Sequence, residues 1–381
     1  MKDRWGFVVN WITQRTVVAL VPLVWMASPG AAVVSTNVPL DHWSYDAIEK
    51  LADYGLIDSA MLTTKPITRI EMARHIAQAT SSLNRISEAP EVLQRIVDRL
   101  QEEFKGELIQ IGVLDGWYAD SFVKPVEDPY ARYVYANTKP NLENMRGDVF
   151  EAHSNYRAGF ASRMTLADTV AYYAHPEFSA ASNDSDQDLT LIEGYGKTMA
   201  GPVEIQMGKD SLWWGPAHRG SILMSNNAQP LTMVKVTNPQ PLQLPWILQF
   251  LGPFRAEWFL AELEKNRDFS NAKLSGIRVN IKPHPLVELG VSRVALFGGS
   301  GQPHVGFVDY AKTILATTNQ AADDQLAGVD ASVRVPLGDN GLLRSVKLYV
   351  DGAGEDEAGG WPSNWGKIVG LQLRITGLKL R

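Results

Sequence analysis

The chain of 381 residues contains no cysteine, so neither disulfides nor a cysteine-ligated metal can hold its fold. A chain this long buries enough apolar surface without them. Beyond residue 32 no stretch reaches the ~18 uninterrupted apolar residues of a membrane-crossing helix. If the mature chain sits in a bilayer, it must do so as a closed barrel of strands, the other structure that satisfies every backbone group internally. An excess of positive charge is missing as well: 36 Lys and Arg against 42 Asp and Glu leave a net charge of −6, which excludes a typical nucleic-acid binder. Catalytic signatures are absent too. No nucleophile elbow, His-Glu-x-x-His helix, Walker loop or dinucleotide fingerprint occurs, Gly298-Gly-Ser-Gly301 reads as a loop tip, and the seven histidines are scattered without ligand spacing. We expect no enzyme, no cofactor and no metal. A glycosidase would need only two carboxylates brought close in space, and Asp210 with Glu193 or Glu204 is the first pair to inspect.

What is present is an ordinary folded composition, 45% hydrophobic and 20% charged, with a surplus of tryptophan at 11 copies. Trp suits a bilayer interface, and its flat apolar face equally suits stacking on a sugar ring. Residues 1–32 read as a signal peptide: Lys2, Arg4 and Arg15 make a positive start, Thr16 to Ala27 is an apolar core too short to span a bilayer, and Ser28 to Ala32 supplies small residues for cleavage. The other reading is an uncleaved membrane anchor.

Residues 33–82 form a small helical module. Asp41 is placed to cap a helix carrying Tyr45, Ala47, Ile48, Leu51 and Ala52 on one stripe, and Gly55 to stop it. Thr68, with Glu71 three residues on, has capping-box spacing for a second helix. The stretches Val38-Pro-Leu-Asp-His-Trp43, Gly55-Leu-Ile57 and Ile67-Thr-Arg-Ile-Glu71 together resemble an S-layer-homology repeat. That resemblance implies a periplasmic contact with peptidoglycan or another cell-wall polymer through Trp43, Thr68, Arg69 and Glu71. The alternative is that Trp43 is core and Thr68 with Glu71 merely caps a helix. Residues 83–129 hold an amphipathic helix, Glu91 to Phe104, with Val92, Leu93, Ile96, Leu100 and Phe104 on one face, and then a loop-like connector.

From residue 130 to 381 the hydrophobic period changes to two. Val203, Ile205 and Met207, then Ile277, Val279 and Ile281, then Val329 to Leu337 alternate with polar partners. Further strands read at 156–164, 169–178, 255–263, 286–296, 343–350 and 369–375, for roughly a dozen at barrel spacing. A soluble sandwich also alternates, but here the minor face repeatedly carries Arg, Lys, Glu and Asp, which fits a water-filled lumen. The fold class is mainly β, a transmembrane antiparallel barrel behind a small α-helical region. The loops at 180–187, 212–231, 238–252, 298–322 and 352–366 read as the long ones of such a topology.

The most distinctive segment is Gly208-Lys-Asp-Ser-Leu-Trp-Trp-Gly-Pro-Ala-His-Arg-Gly220, running on to Pro230. Trp213 and Trp214 suit sugar stacking, Arg219 a uronate or pyruvate carboxylate, and Asn226, Asn227 and Gln229 vicinal hydroxyls, with His218 inside the same motif. The other reading is an inward loop that constricts the lumen and satisfies its own hydrogen bonds. This segment resembles the capsule-assembly Wzi family, a likeness running from about residue 130 to the end. The resemblance implies a lectin-like barrel in the cell outer membrane, bound to outer-membrane lipid, that holds capsular or extracellular polysaccharide at the cell surface. Fewer readable strands than a closed barrel of that family needs, and an end at Gly377 to Arg381 without an aromatic residue, lead us to expect a C-terminally truncated chain. A carbohydrate-selective porin anchored to peptidoglycan is the alternative.

Overall fold

The computed structural model describes residues 33–375 except residue 88 and residues 184–186, 266–269, 302–323, 339–342 and 356–362. The signal-peptide segment, nearly all of the 298–322 loop and the residues after 375 lie outside the described residues.

The N-terminal module holds α1 (Ser44–Asp53), β1 (Thr64–Lys65), α2 (Arg69–Leu83), α3 (Glu91–Glu103) and α4 (Lys105–Gln110). Gly55 stops α1 as expected: at φ +72 it lets its own N–H reach Ala52 O and the Leu56 N–H reach Leu51 O, both at 3.0 Å. That pairing satisfies carbonyls the helix would otherwise orphan, in a left-handed conformation that glycine adopts without penalty. Thr68 caps α2, its hydroxyl accepting from the Glu71 N–H at 3.3 Å. Asp41 does not cap α1; Trp43 occupies that position without a side-chain bond, and Asp41 turns away to pair with Arg146. The helices share an apolar core of Ile48, Leu51, Met72, Ile76, Leu83, Leu93, Val97, Leu100, Phe104 and Leu108. The buried stripe of α3 therefore runs through Val97, while Val92 faces outward at 43% exposure. Among the described residues no helix is long and apolar enough to cross a membrane.

Among the described residues the rest is one antiparallel sheet of 13 strands. In chain order they are β2 (Phe122–Ala136), β3 (His153–Leu166), β4 (Val170–Ala181), β5 (Gln187–Ala200), β6 (Val203–Asp210), β8 (Leu231–Thr237), β9 (Leu242–Gln243), β10 (Pro253–Glu262), β11 (Lys273–His284), β12 (Val287–Phe297), β13 (Asp324–Pro336), β14 (Leu343–Glu355) and β15 (Ser363–Ile375). Each long strand pairs with its sequence neighbour, and β9 adds to the side of β10. The remaining short strand, β7 (Trp213–Trp214), leaves the sheet and pairs with β1. Among the described residues the sheet does not close, since β2 pairs with β3 alone and β15 with β14 alone. The expected connector up to Pro129 is a correction: β2 begins at Phe122, and register shifts between Lys124 and Glu127 and between Glu127 and Tyr130 erase its alternation.

The sheet is inverted relative to a soluble one. Its polar face is buried, with Glu204, Gln206, Lys235, Glu257, Arg278 and Asn280 all sealed from solvent, while Val291 and Met207 on the other face are 61% and 62% exposed. Apolar outside and polar inside is the pattern of a wall that meets lipid. Among the described residues much of the polar face does not line open water, as the lumen reading expected. It packs on the N-terminal module and on the 211–230 loop through ion pairs and hydrogen bonds. Arg278 is typical: its Nη1 binds Asp330 Oδ2 at 2.6 Å and Ser292 Oγ at 2.7 Å, and its Nε reaches Thr64 Oγ1 at 2.7 Å. Asn37 donates to Asp210 Oδ2 at 2.8 Å and accepts from Lys197 Nζ at 2.7 Å. Thr63 Oγ1 donates to Glu288 Oε1 at 2.6 Å.

The up-and-down order sorts the connections to two ends. The C-terminal ends of β2, β4, β6, β10, β12 and β14 lie at one end, and the tight turns at 167–169, 201–202 and 285–286 at the other. Gln110 Nε2 bonds Asp168 Oδ1 at 2.9 Å, so the helical module stands at the tight-turn end. The 238–252 loop joins the tight turns and not the long loops among which the sequence placed it.

Candidate functional site

The 211–230 loop dives inward from the long-loop end. Trp214 pairs with Thr64 and Trp213 with Lys65, so this strand of two residues is the seam between wall and module. Trp214 is 1% exposed, donates its indole N–H to Glu257 Oε1 at 2.7 Å, and meets Phe259 edge-on at 5.5 Å between ring centroids. Trp213 is buried, its indole N–H held by Gly215 O at 3.1 Å and its ring facing the Lys65 ammonium. Neither face is open to a sugar. The stacking expected of this pair is corrected to the other reading, a loop that fills the interior, because an indole suits a packed seam as well as a pyranose.

Beyond the pair, His218 Nε2 sits 2.9 Å from Asp46 Oδ1 on α1. The hydrogen bond to Asp46 pushes the His218 pKa above its ordinary value, and the same bond lowers that of Asp46. Beside them Glu49 is buried; against the push of burial, Lys347 Nζ at 2.6 Å, with Lys65 and Arg334, holds its carboxyl down to about 2. Asp46, Glu49 and His218 bring three metal-ligand atoms within 4.8 Å of one another, but Lys347 already occupies the Glu49 carboxylate, a poor donor set for a cation. His218 thus latches the loop to the module.

Arg219, Asn227 and Gln229 are exposed, and Asn226 is buried. They meet a segment that sequence reading passed over, the 137–152 loop between β2 and β3. Asn144 Nδ2 donates to Arg219 O at 2.8 Å, Asn144 N–H to Asn227 Oδ1 at 3.2 Å, and Arg146 N–H to Asn226 O at 2.9 Å. Gly147, at φ +68, crosses so close to Gln229 that a Cβ would lie 2.8 Å from its backbone nitrogen. Only glycine fits there. Asn226 donates to Asn144 O at 3.3 Å, while its buried Oδ1 has no hydrogen-bond partner among the described residues. An orphaned buried acceptor costs about 1–3 kcal/mol.

The zipped loops enclose a cleft of ≈ 570 Å³ toward the long-loop ends of β2, β4, β5 and β6. Its walls carry Tyr130, Arg132, Asn144, Arg146, His175, Glu177, Ser179, Thr190 and Gln229. Tyr130 is fixed by Glu177 and by His175 Nε2 at 3.0 Å, and Arg146 by Asp41, His175 and Glu193. The Arg132 guanidinium stands 5.9 Å from the Tyr130 ring centre and is exposed. Fixed hydroxyl, amide and guanidinium groups beside an aromatic ring are what a polyhydroxylated ligand needs. Position 132 and the Asn144 to Gly147 turn carried no distinctive sequence signal, since their role depends on loops brought together from far along the chain.

The carboxylates inspected for glycoside hydrolysis, Asp210, Glu193 and Glu204, are buried and bonded to Asn37, Ser211 and Lys197 respectively, which leaves no room for a substrate between them. The four residues singled out for a wall polymer are likewise engaged. Thr68 is a cap and Arg69 Nε binds Glu107 Oε1 at 2.6 Å, while Glu71 holds Arg74 at 3.0 Å and Trp43 carries the Arg99 guanidinium 4.1 Å from its ring centre. Glu107 also accepts from Arg163 Nη1 on β3 at 2.9 Å, so this set joins the module to the wall.

Residues 127–379 match the family described as Capsule assembly protein Wzi. A Klebsiella pneumoniae protein, an uncharacterized 55.8 kDa product of the cps region, is 28% identical over 166 residues, which is 42% of this chain and 32% of that protein. The chain therefore spans about a third of that relative's length. The solved structure of Wzi from Escherichia coli, described as a carbohydrate-binding β-barrel outer-membrane protein involved in group 1 capsule assembly, superposes with a TM-score of 0.63 at 20% identity. The match covers 88% of this chain and 67% of that one.

Proposed function

This chain belongs to the capsule assembly protein Wzi family, and from that premise we propose that it is an outer-membrane protein that binds capsular or extracellular polysaccharide at the long-loop end of its sheet. The observation that carries the binding site is the cleft beside the 211–230 loop. Its exposed groups, Arg132 and Gln229, with Arg219 and Asn227 on the loop beside it, stand on a rim already locked by hydrogen bonds, so little ordering entropy is lost on binding. Trp213, Trp214 and His218 act from behind, holding the loop in place. The inverted sheet supports the membrane assignment, with apolar side chains toward lipid. The capsule-related names of the solved Wzi and of the Klebsiella cps protein support polysaccharide as the ligand. A conducting porin is disfavoured, because the helical module and the inward loop fill the interior that ions would cross.

The test is binding of purified capsular polysaccharide to the detergent-solubilised protein by biolayer interferometry. Arg132→Ala and Gln229→Ala each lose about 1–2 kcal/mol of affinity, roughly five- to thirty-fold, while resistance to protease is kept. Wild-type binding that survives both substitutions together would move the site away from the cleft.

A further inference from the structure

The connection between β8 and β10 is long for a tight-turn end, and its sequence, Asn238 to Phe254, contains no Asp, Glu, Lys, Arg or His. After β9 it forms a 3-10 helix, Trp246–Leu251, on which Trp246 is 87% and Phe250 68% exposed. An exposed aromatic cluster of this kind marks a surface that is covered in use. Its position says by what. Phe254 pairs with Ile281, which belongs to the outward, apolar parity of β11, yet Phe254 is only 4% exposed. Leu244 is buried as well, β9 runs beside Phe254, and the 3-10 helix packs on β11. The segment thus folds against the outer face of the wall, and its aromatic side chains continue the outward apolar surface of Leu289, Val291, Val333 and Val335 down to the tight-turn rim.

We propose that Trp246, Leu248 and Phe250 form a membrane-interface anchor that inserts into the headgroup and upper acyl region of the lipid leaflet at the tight-turn end. Tryptophan and phenylalanine are the side chains that settle at that depth. The lack of any charge across the segment fits a neutral phospholipid surface and removes the ion pairs by which a protein partner would be selected. The proposal rests on the reading of the sheet as a membrane wall, and the experiment separates the two.

Because the chain has no cysteine, single reporters can be introduced without further change. Trp246→Cys, Phe250→Cys and Val291→Cys, each labelled with an environment-sensitive fluorophore and each retaining wild-type protease resistance, are reconstituted into phosphatidylethanolamine and phosphatidylglycerol vesicles. The lipids are brominated either near the glycerol end or near the methyl end of the acyl chains. The anchor predicts blue-shifted emission at positions 246 and 250, loss of emission chiefly to the shallow bromines, and protection from aqueous iodide, with position 291 losing emission to the deeper ones. Emission at 246 and 250 that ignores both lipids and yields to iodide, while 291 is quenched, overturns the anchor and leaves the membrane wall standing. If 291 is unquenched too, the membrane reading fails and the anchor with it.

Discussion

The helical module and the sheet solve burial in opposite ways. The module is built as a soluble protein is, with Leu51, Ile76 and Leu100 at its centre. The sheet buries Arg278, Lys235 and Glu257 and exposes Val291 and Met207. Their shared boundary follows the sheet's rule: Thr63, Thr64, Asn37 and Glu49 meet the wall through hydrogen bonds and ion pairs. Apolar burial holds each helix to its neighbours, whereas the module is held to the wall by charge and geometry. Such contacts are strong when complete and costly when half removed.

The largest effect is expected where one partner of that boundary is lost. Arg278→Met leaves Asp330 buried without its guanidinium and costs about 3–5 kcal/mol in urea unfolding of the detergent-solubilised protein. Arg278→Met with Asp330→Leu recovers much of the loss; a double variant as weak as the single would show that the loss comes from the bonds of Arg278 to Thr63 and Thr64 across the boundary and not from an unpaired Asp330. Next comes the contrast itself. Leu51→Ala in the module costs about 2–5 kcal/mol. Val291→Ala on the outer face costs far less, and Val291→Arg costs about 2–4 kcal/mol only when the protein is in lipid. A Val291→Arg variant as stable as the wild type in lipid would break the comparison. Acid should then loosen the boundary. Glu49 sits at about 2 in the fold against an ordinary 4.5, so its contribution is complete above 4.5 and lost as pH falls toward 2. Up to about 3 kcal/mol is at stake, and Glu49→Gln flattens that part of the pH profile.

The strands were legible wherever alternation ran unbroken, as at Ile277 to Ile281, and the Gly55 stop and Thr68 cap were legible because both act within one turn of chain. β2 was not, since its register shifts place two residues against one and scramble the period that reveals a strand. Polar alternation correctly marked one face as unusual, but it could not say whether water or protein would cover that face. Trp213 and Trp214 show the same limit at the site: an indole serves a seam or a sugar equally, and the deciding neighbours, Thr64 and Glu257, lie far away in sequence. Arg132 and Asn144 were invisible for the converse reason, being ordinary residues made into a cleft by loops that meet only in the fold.

The smallest expected effect probes the most exposed point of the boundary. The side chains of His218 and Asp46 are 50% and 69% exposed, so their bond is worth under about 1 kcal/mol. Its sign with pH nevertheless opposes that of Glu49. The pairing raises the His218 pKa above 6.5, so its contribution is full below 6.5 and disappears as pH rises through the higher value. Proteolysis at the 211–230 loop should therefore quicken toward alkaline pH in the wild type, while His218→Gln, which keeps a donor for Asp46 without the charge, shows one rate throughout. A wild-type rate that ignores pH would mean that the Trp214 pairing and the bonds to Asn144 and Arg146 hold the loop without it, and that His218 only rests against the module.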